Sequence, residues 1–271
     1  MNPPPAVTPA GAAAPAATPD SQAAHAARAD HHAARRARGP DMGVRAELAR
    51  AALVAAKDLR IEMRSLDNVP AMFFFALLVL VILSFGFDFS TAKFSDVGAG
   101  VLWVAFVFPA VLSFGHAFAL ERDGECLSGL RLTPADAGTL YLGKLAANIV
   151  FMLAMEAAIL PLSAVLFGYD LAPVLAPLAF VIAVHSVGFC AVGTLFGAMT
   201  ARTRRGDVLL PILLFSVSVP LMLAAVRTTS AVLNGGGLWD GLTKTWLVMT
   251  CLFDLVFTTA AWLSFQYLLE E

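Results

Sequence analysis

A chain of 271 residues that is 59% hydrophobic and only 14% charged, with a mean hydropathy of +0.76, is not an ordinary soluble domain. Such domains carry about a quarter charged residues. Several apolar runs near membrane-spanning length therefore indicate a polytopic membrane protein, for which no nucleic-acid partner is expected; the net charge of −2 says little, because sign and position matter more than the sum. The three cysteines, Cys126, Cys190 and Cys251, are far apart and share no CxxC spacing, so neither a disulfide framework nor a metal site is expected.

Residues 1–43 are rich in alanine and proline and hold no apolar run, which reads as a disordered extension without a signal-peptide core. His25, His31 and His32 read as solvated tail residues rather than metal ligands. Residues 44–66 change to a helical pattern. Leu48, Ala52, Ala55, Leu59 and Met63 share one face, while Arg50, Lys57 and Arg64 recur every seven residues opposite them. A cationic amphipathic helix of this kind is expected to lie in the lipid headgroup plane, although Leu53 and Ile61 fall among the charges, and a solvated helix leading into the membrane is the alternative.

The remainder, 67–271, reads as an all-α integral membrane domain of six spans, at 70–87, 97–120, 140–167, 171–199, 208–226 and 245–269. Pro70 suits a helix start, and Pro173 and Pro177 are expected to bend the start of the fourth span. Basic residues set the orientation. Arg45, Arg50, Lys57, Arg60, Arg64, Arg122, Arg131, Lys144, Arg202, Arg204 and Arg205 fall on one side, against Lys93, Arg227 and Lys244 on the other. By the positive-inside rule both termini and the stretches around 119–144 and 202–207 are cytoplasmic. The outer stretch 227–244 holds a glycine run at 235–237, with Trp239 and Trp246 as interfacial anchors.

The longest polar interruption is 119–144, which contains Glu121, Arg122, Asp123, Gly124, Glu125, Leu127 and Leu130. A short helix presenting Leu127 and Leu130 fits between Glu121 and Leu130, and competes with a solvated turn. Thr133 and Pro134, followed by Asp136 at the third helical position, form a helix-start signal for the third span. Gly138 to Lys144 nearly spells a phosphate-binding loop, but Leu145 stands where a Mg²⁺-binding hydroxyl is required, so ATP is not bound there.

Four ionisable residues fall in or near the spans: His116, Glu156, His185 and Asp254. A carboxyl at such depth costs about 2.5–3.5 kcal/mol on insertion scales, so Glu156 and Asp254 are expected to face protein or a water-lined path. A catalytic carboxylate pair is the rival reading, with an intramembrane hydrolase as the function. His116 and His185 read as helix–helix hydrogen-bonding groups before they read as haem ligands. Gly193 and Gly197 form a GxxxG pattern that permits close helix approach.

The segments FALLVLVILSFGFDFS, FALERDGECLSGLRLTP with the downstream YLGK, AVGTLFGAMTARTRRGDVLLP and the closing FQYLLEE resemble CcmB over about residues 53–271. That family is the permease subunit of the ABC-type haem exporter of bacterial cytochrome c maturation, an ABC-2-like permease of the inner membrane. The resemblance implies a separate ATPase subunit (CcmA-like), a haem-handling subunit (CcmC-like), a small subunit (CcmD-like) and a periplasmic haem chaperone (CcmE-like). ATP then acts through the partner, and haem is a handled or transported ligand rather than a resident cofactor. It further implies that Glu121, Gly124, Leu127, Leu130, Thr133, Pro134, Gly143 and Lys144 belong to the ATPase-facing loop, and Arg202, Thr203 and Arg205 to the second cytoplasmic loop. Glu156 and Pro161 match the third span, whereas His116 stands where the family commonly carries a basic residue. An ABC-2 permease for another lipid, glycan or drug is the alternative.

Overall fold

The computed structural model describes residues 40–64, 68–87, 94–123, 137–201, 203 and 206–270. Within them lie seven helices and no strand: α1 (Pro40–Arg64), α2 (Asn68–Gly86), α3 (Phe94–Asp123), α4 (Ala137–Phe167), α5 (Leu175–Ala201), α6 (Gly206–Leu233) and α7 (Gly241–Glu270). Six are long and apolar enough to cross a membrane, through Val69–Gly86, Val97–Gly115, Ala137–Phe167, Leu175–Ala201, Val208–Leu233 and Gly241–Phe265. The chain is an all-α integral membrane protein. Contacts divide it into two units, Met1–Ala46 and Glu47–Glu271. Of the first, the opening turns of α1 are described, with Arg45 and Ala46 exposed. Residues 1–39, expected to be disordered, lie outside the described residues.

In the second unit α5 is the hub and packs against α3, α4, α6 and α7. α3 in turn packs on α2, α4 and α6. Their placement shows in burial: 72% of the apolar stretch of α3 is buried in the protein, against 17% for α2 and for α7. The outer sides of α2 and α7 are thus left for lipid. Lipid tails are as apolar as leucine, so close packing rather than water exclusion holds such helices together. Gly193 shows how. A Cβ there would run into the Phe114 ring of α3, so the small residue lets α5 approach it, and Phe114 also packs on Phe189 at 5.8 Å between ring centres.

Several helix boundaries shift by a few residues from the sequence expectation, and two of the shifts change the reading of a named residue. α5 begins at Leu175, and the preceding turn is closed by Ala172 N–H donating to Asp170 Oδ1 (3.1 Å) and Val174 N–H donating to the Leu171 carbonyl (3.2 Å). Pro173 therefore stands before the helix and does not bend it. Its fixed φ and missing N–H fit a turn ahead of a helix start. α6 runs seven residues past the expected end, to Leu233, which places Arg227 within a helix rather than a loop. It stops where Gly235 adopts φ 77°, with Gly236 N–H donating to the Ala231 carbonyl and Gly235 N–H to that of Val232. This is the paired closure that a left-handed glycine permits.

Candidate functional site

The coupling residues expected near the longest polar stretch begin on α3. That helix continues unbroken to Asp123, so Glu121, Arg122 and Asp123 extend it rather than open a separate short helix. Leucine, glutamate and arginine are good helix formers, and no glycine or proline intervenes after Gly115 until Gly124. Eight residues past the apolar span correspond to about 12 Å of helix at about 1.5 Å per residue. The side chains of His116, Glu121, Arg122 and Asp123 lie outside the described residues. So do residues Gly124, Glu125, Leu127, Leu130, Thr133 and Pro134, together with Arg202 and Arg205. Thr203 is described: its N–H and its Oγ1 both donate to the Thr200 carbonyl, at 3.0 and 2.9 Å, and close the tight connection from α5 to α6.

The seam between α4 and α5 carries a polar ladder. Asn148 Nδ2 donates to Thr194 Oγ1 (2.8 Å), the Cys190 thiol approaches Met152 Sδ (3.5 Å), and Ser186 Oγ lies 2.9 and 3.0 Å from the two carboxyl oxygens of Glu156. Each step of four residues up α4 is matched by four residues down α5, the register of two antiparallel helices packed along one stripe. Glu156 is 2% exposed and Ser186 is fully buried. Ser186 Oγ also reaches the Ile182 carbonyl of its own helix at 2.8 Å. Glu156 is thus a helix–helix hydrogen-bonding group.

On the α7 side, His185 is fully buried with both ring nitrogens engaged. Nδ1 lies 2.8 Å from the Val181 carbonyl, which only accepts, so the ring proton is assigned there. Nε2 faces Thr250 Oγ1 at 3.0 Å. The ring also lies 5.6 Å from that of Trp103, whose Nε1 donates to Thr229 Oγ1 (3.0 Å), which brings α3 and α6 into the same polar layer. No nitrogen of His185 is left over to ligate haem in this arrangement.

Asp254 is half-buried, and its Oδ1 packs against Gly188, where no Cβ stands in the way. Among the described residues that oxygen has no hydrogen-bond partner. Ser186 and Gly188 point roughly 200° apart around α5 at about 100° per residue, so Glu156 and Asp254 sit on opposite sides of that helix. The expected alternative of a cooperating carboxylate pair is not assembled.

Sequence reasoning missed a second seam. α1 does not meet the bundle through its apolar stripe. Thr139 Oγ1 of α4 donates to Glu47 Oε2, and Lys144 Nζ pairs with Asp58 Oδ2 at 3.2 Å. Between them Gly143 packs against Val54 and the Ala51 carbonyl. Lys144, the lysine of the apparent phosphate loop, is thus 93% buried in an internal ion pair. The signal available in the sequence was the spacing of Glu47, Ala51, Val54, Asp58 and Glu62, which repeats every three or four residues beside the apolar stripe.

A family model described as CcmB protein matches residues 49–267. Three relatives carry the name heme exporter protein B. That of Rhodobacter capsulatus is 25% identical over 168 residues, covering 62% of this chain and 77% of the relative. That of Haemophilus influenzae is 24% identical over 185 residues (68% and 81%), and that of Paracoccus denitrificans 28% over 182 residues (65% and 81%). The match takes in the second unit almost whole, from the α1 seam through the polar ladder and the α5 hub to α7, and the chain belongs to the CcmB family.

Proposed function

We propose that this chain is the membrane-spanning subunit of an ABC transporter for cytochrome c maturation. It couples ATP hydrolysis by a partner ATPase to haem export, or to release of a haem-loaded chaperone on the far side of the membrane. The observation that carries the reading is the family match over 49–267, joined to relatives whose printed name is heme exporter protein B. The helical fold supports it. α3 is the most buried span and runs on about 12 Å past its apolar segment to Glu121–Asp123, so a push there is delivered straight to the centre of the bundle. The chain itself performs no chemistry in this reading.

Its partners are a CcmA-like ATPase docking on Glu121, Leu127 and Leu130, a CcmC-like haem-handling subunit, a CcmD-like small subunit and a CcmE-like chaperone. In this reading the termini and the stretch 202–205 face the cytoplasm of the inner membrane, which the excess of basic residues on that side supports. Haem is cargo here. With both nitrogens of His185 engaged inside the helix packing, that residue is a structural group and not a station for haem.

The test is co-purification of the tagged chain from its native membrane. The ATPase is expected to come with the natural chain and to be lost when Glu121, Leu127 and Leu130 are all changed to lysine. Full retention of the ATPase by that variant would sink the docking assignment.

A further inference from the structure

α1 has three faces, and the bundle covers one. From Glu47 onward the covered face carries Glu47, Ala51, Val54, Asp58 and Glu62. Ala51 and Glu62 are buried, and Glu47 and Asp58 are engaged by Thr139 and Lys144 of α4. At about 100° per residue, the stripe of Leu48, Ala52, Ala55, Leu59 and Met63 is centred roughly 100° to one side of that face. Lys57, Arg60 and Arg64 are centred roughly 120° to the other side. Both flanks are largely uncovered: Leu48 is 60% and Met63 61% exposed, Ala55 and Leu59 are half-buried, and Lys57, Arg60 and Arg64 are exposed.

The acids of the segment turn toward the bundle, and Asp58 also pairs with Lys57 Nζ at 2.7 Å, so Arg60 and Arg64 carry the charge that the segment shows to its surroundings. Its depth is fixed by its partners. Thr139 and Lys144 lie two and seven residues into α4, or about 3–10 Å from the helix start at about 1.5 Å per residue. That is the headgroup level of a span beginning at Ala137. The docked face spans eleven residues of α1 against five of α4, so α1 crosses α4 steeply instead of continuing along it.

We propose that the two uncovered flanks of α1 form a docking surface for anionic phospholipid. The apolar stripe enters the acyl boundary, and the exposed Arg60 and Arg64 take the lipid phosphates. The occupant is specified by complementarity: an apolar face and a cationic face on opposite flanks, at headgroup depth, match a negatively charged bilayer surface. A soluble acidic protein would satisfy the cations and leave the leucine and methionine in water.

The experiment compares amide hydrogen exchange of the full-length chain in nanodiscs of phosphatidylcholine and in discs with 30% phosphatidylglycerol. The α1 amides are expected to exchange about tenfold more slowly or better in the anionic discs, an effect that fades in high salt. The double variant Arg60→Gln, Arg64→Gln is expected to exchange equally in both discs, with α5 amides unchanged as the measure of an intact bundle. Equal α1 exchange of the natural chain in the two discs overturns the proposal, as does a difference that survives in the double variant.

Discussion

Helix α4 makes two seams of opposite character, twelve residues apart. At Glu156 it joins α5 deep in the bundle, through hydrogen bonds between groups that are almost wholly buried. At Lys144 it joins α1 near its own start, through an ion pair whose acid is still 19% exposed. The difference lies in what each group would do if the contact broke. A charge at the edge turns to water or headgroups, whereas a polar atom in the bundle interior has only other protein atoms to turn to. The inner seam therefore resists salt and tolerates only substitutions that keep its shape and donors. The outer seam is weaker, adjustable and screened.

The comparison breaks most severely at Gly193. Placing leucine there drives a side chain into Phe114, which is 2% exposed and has nowhere to move. Gly193→Leu is expected to cost about 3 kcal/mol, in line with overpacked cores, and to abolish a sharp unfolding transition in detergent. A smaller loss follows from Thr194→Val, which keeps the volume but removes the acceptor for Asn148. Measured by reversible unfolding in mixed micelles, it should lower stability by about 1 kcal/mol and do so equally at low and high salt. Glu156→Gln keeps an acceptor for Ser186 and should stay within about 0.5 kcal/mol; a large loss would show that the carboxyl does more than pack. The outer seam differs in its response to salt. Asp58→Asn should cost about 1 kcal/mol and fade at high salt, and exchanging the pair as Asp58→Lys with Lys144→Asp should recover only part of it, because Lys57 also pairs with Asp58 at 2.7 Å.

Much of this fold is legible in the amino-acid order. The six spans follow from apolar length, because in lipid every backbone polar group must be paired within its own helix. The tight turn at Gly168 and the glycine run after Asn234 mark helix ends directly, since Gly168 and Gly235 take φ of 66° and 77°. Where the reading missed, the cause is specific. Pro173 looked like a bend inside a helix because apolar residues surround it, yet the Asp170 side chain and the Leu171 carbonyl hold it in a turn. Arg227 looked like a loop residue, but one cation near the end of a long helix does not stop it.

The candidate residues divide in the same way. That His185 and Glu156 serve helix–helix hydrogen bonds follows from the cost of burying them, which the sequence already carries. Their partners, Thr250 and Ser186, do not, because serine and threonine are common on apolar helices and nothing local distinguishes these two. The docked face of α1 is the clearest case. Its apolar stripe is visible in the sequence and reads as a side for the headgroup plane, whereas the neighbouring row of acids and small residues, through which the helix meets α4, carries no such mark.

The sequence alone determined the class of the protein: six spans, a cationic helix ahead of them, buried ionisable groups and the resemblance to CcmB. These are properties of composition and period, which local chain physics reads directly. Tertiary structure alone decided that α5 is the hub, that Glu156 and Asp254 lie on opposite sides of it, and that Lys144 belongs to an internal ion pair. Each of these depends on the rotation of one helix about its axis relative to its neighbours. That rotation is set by long-range packing, with Gly193 against Phe114 and Gly143 against Val54, between residues far apart in the chain.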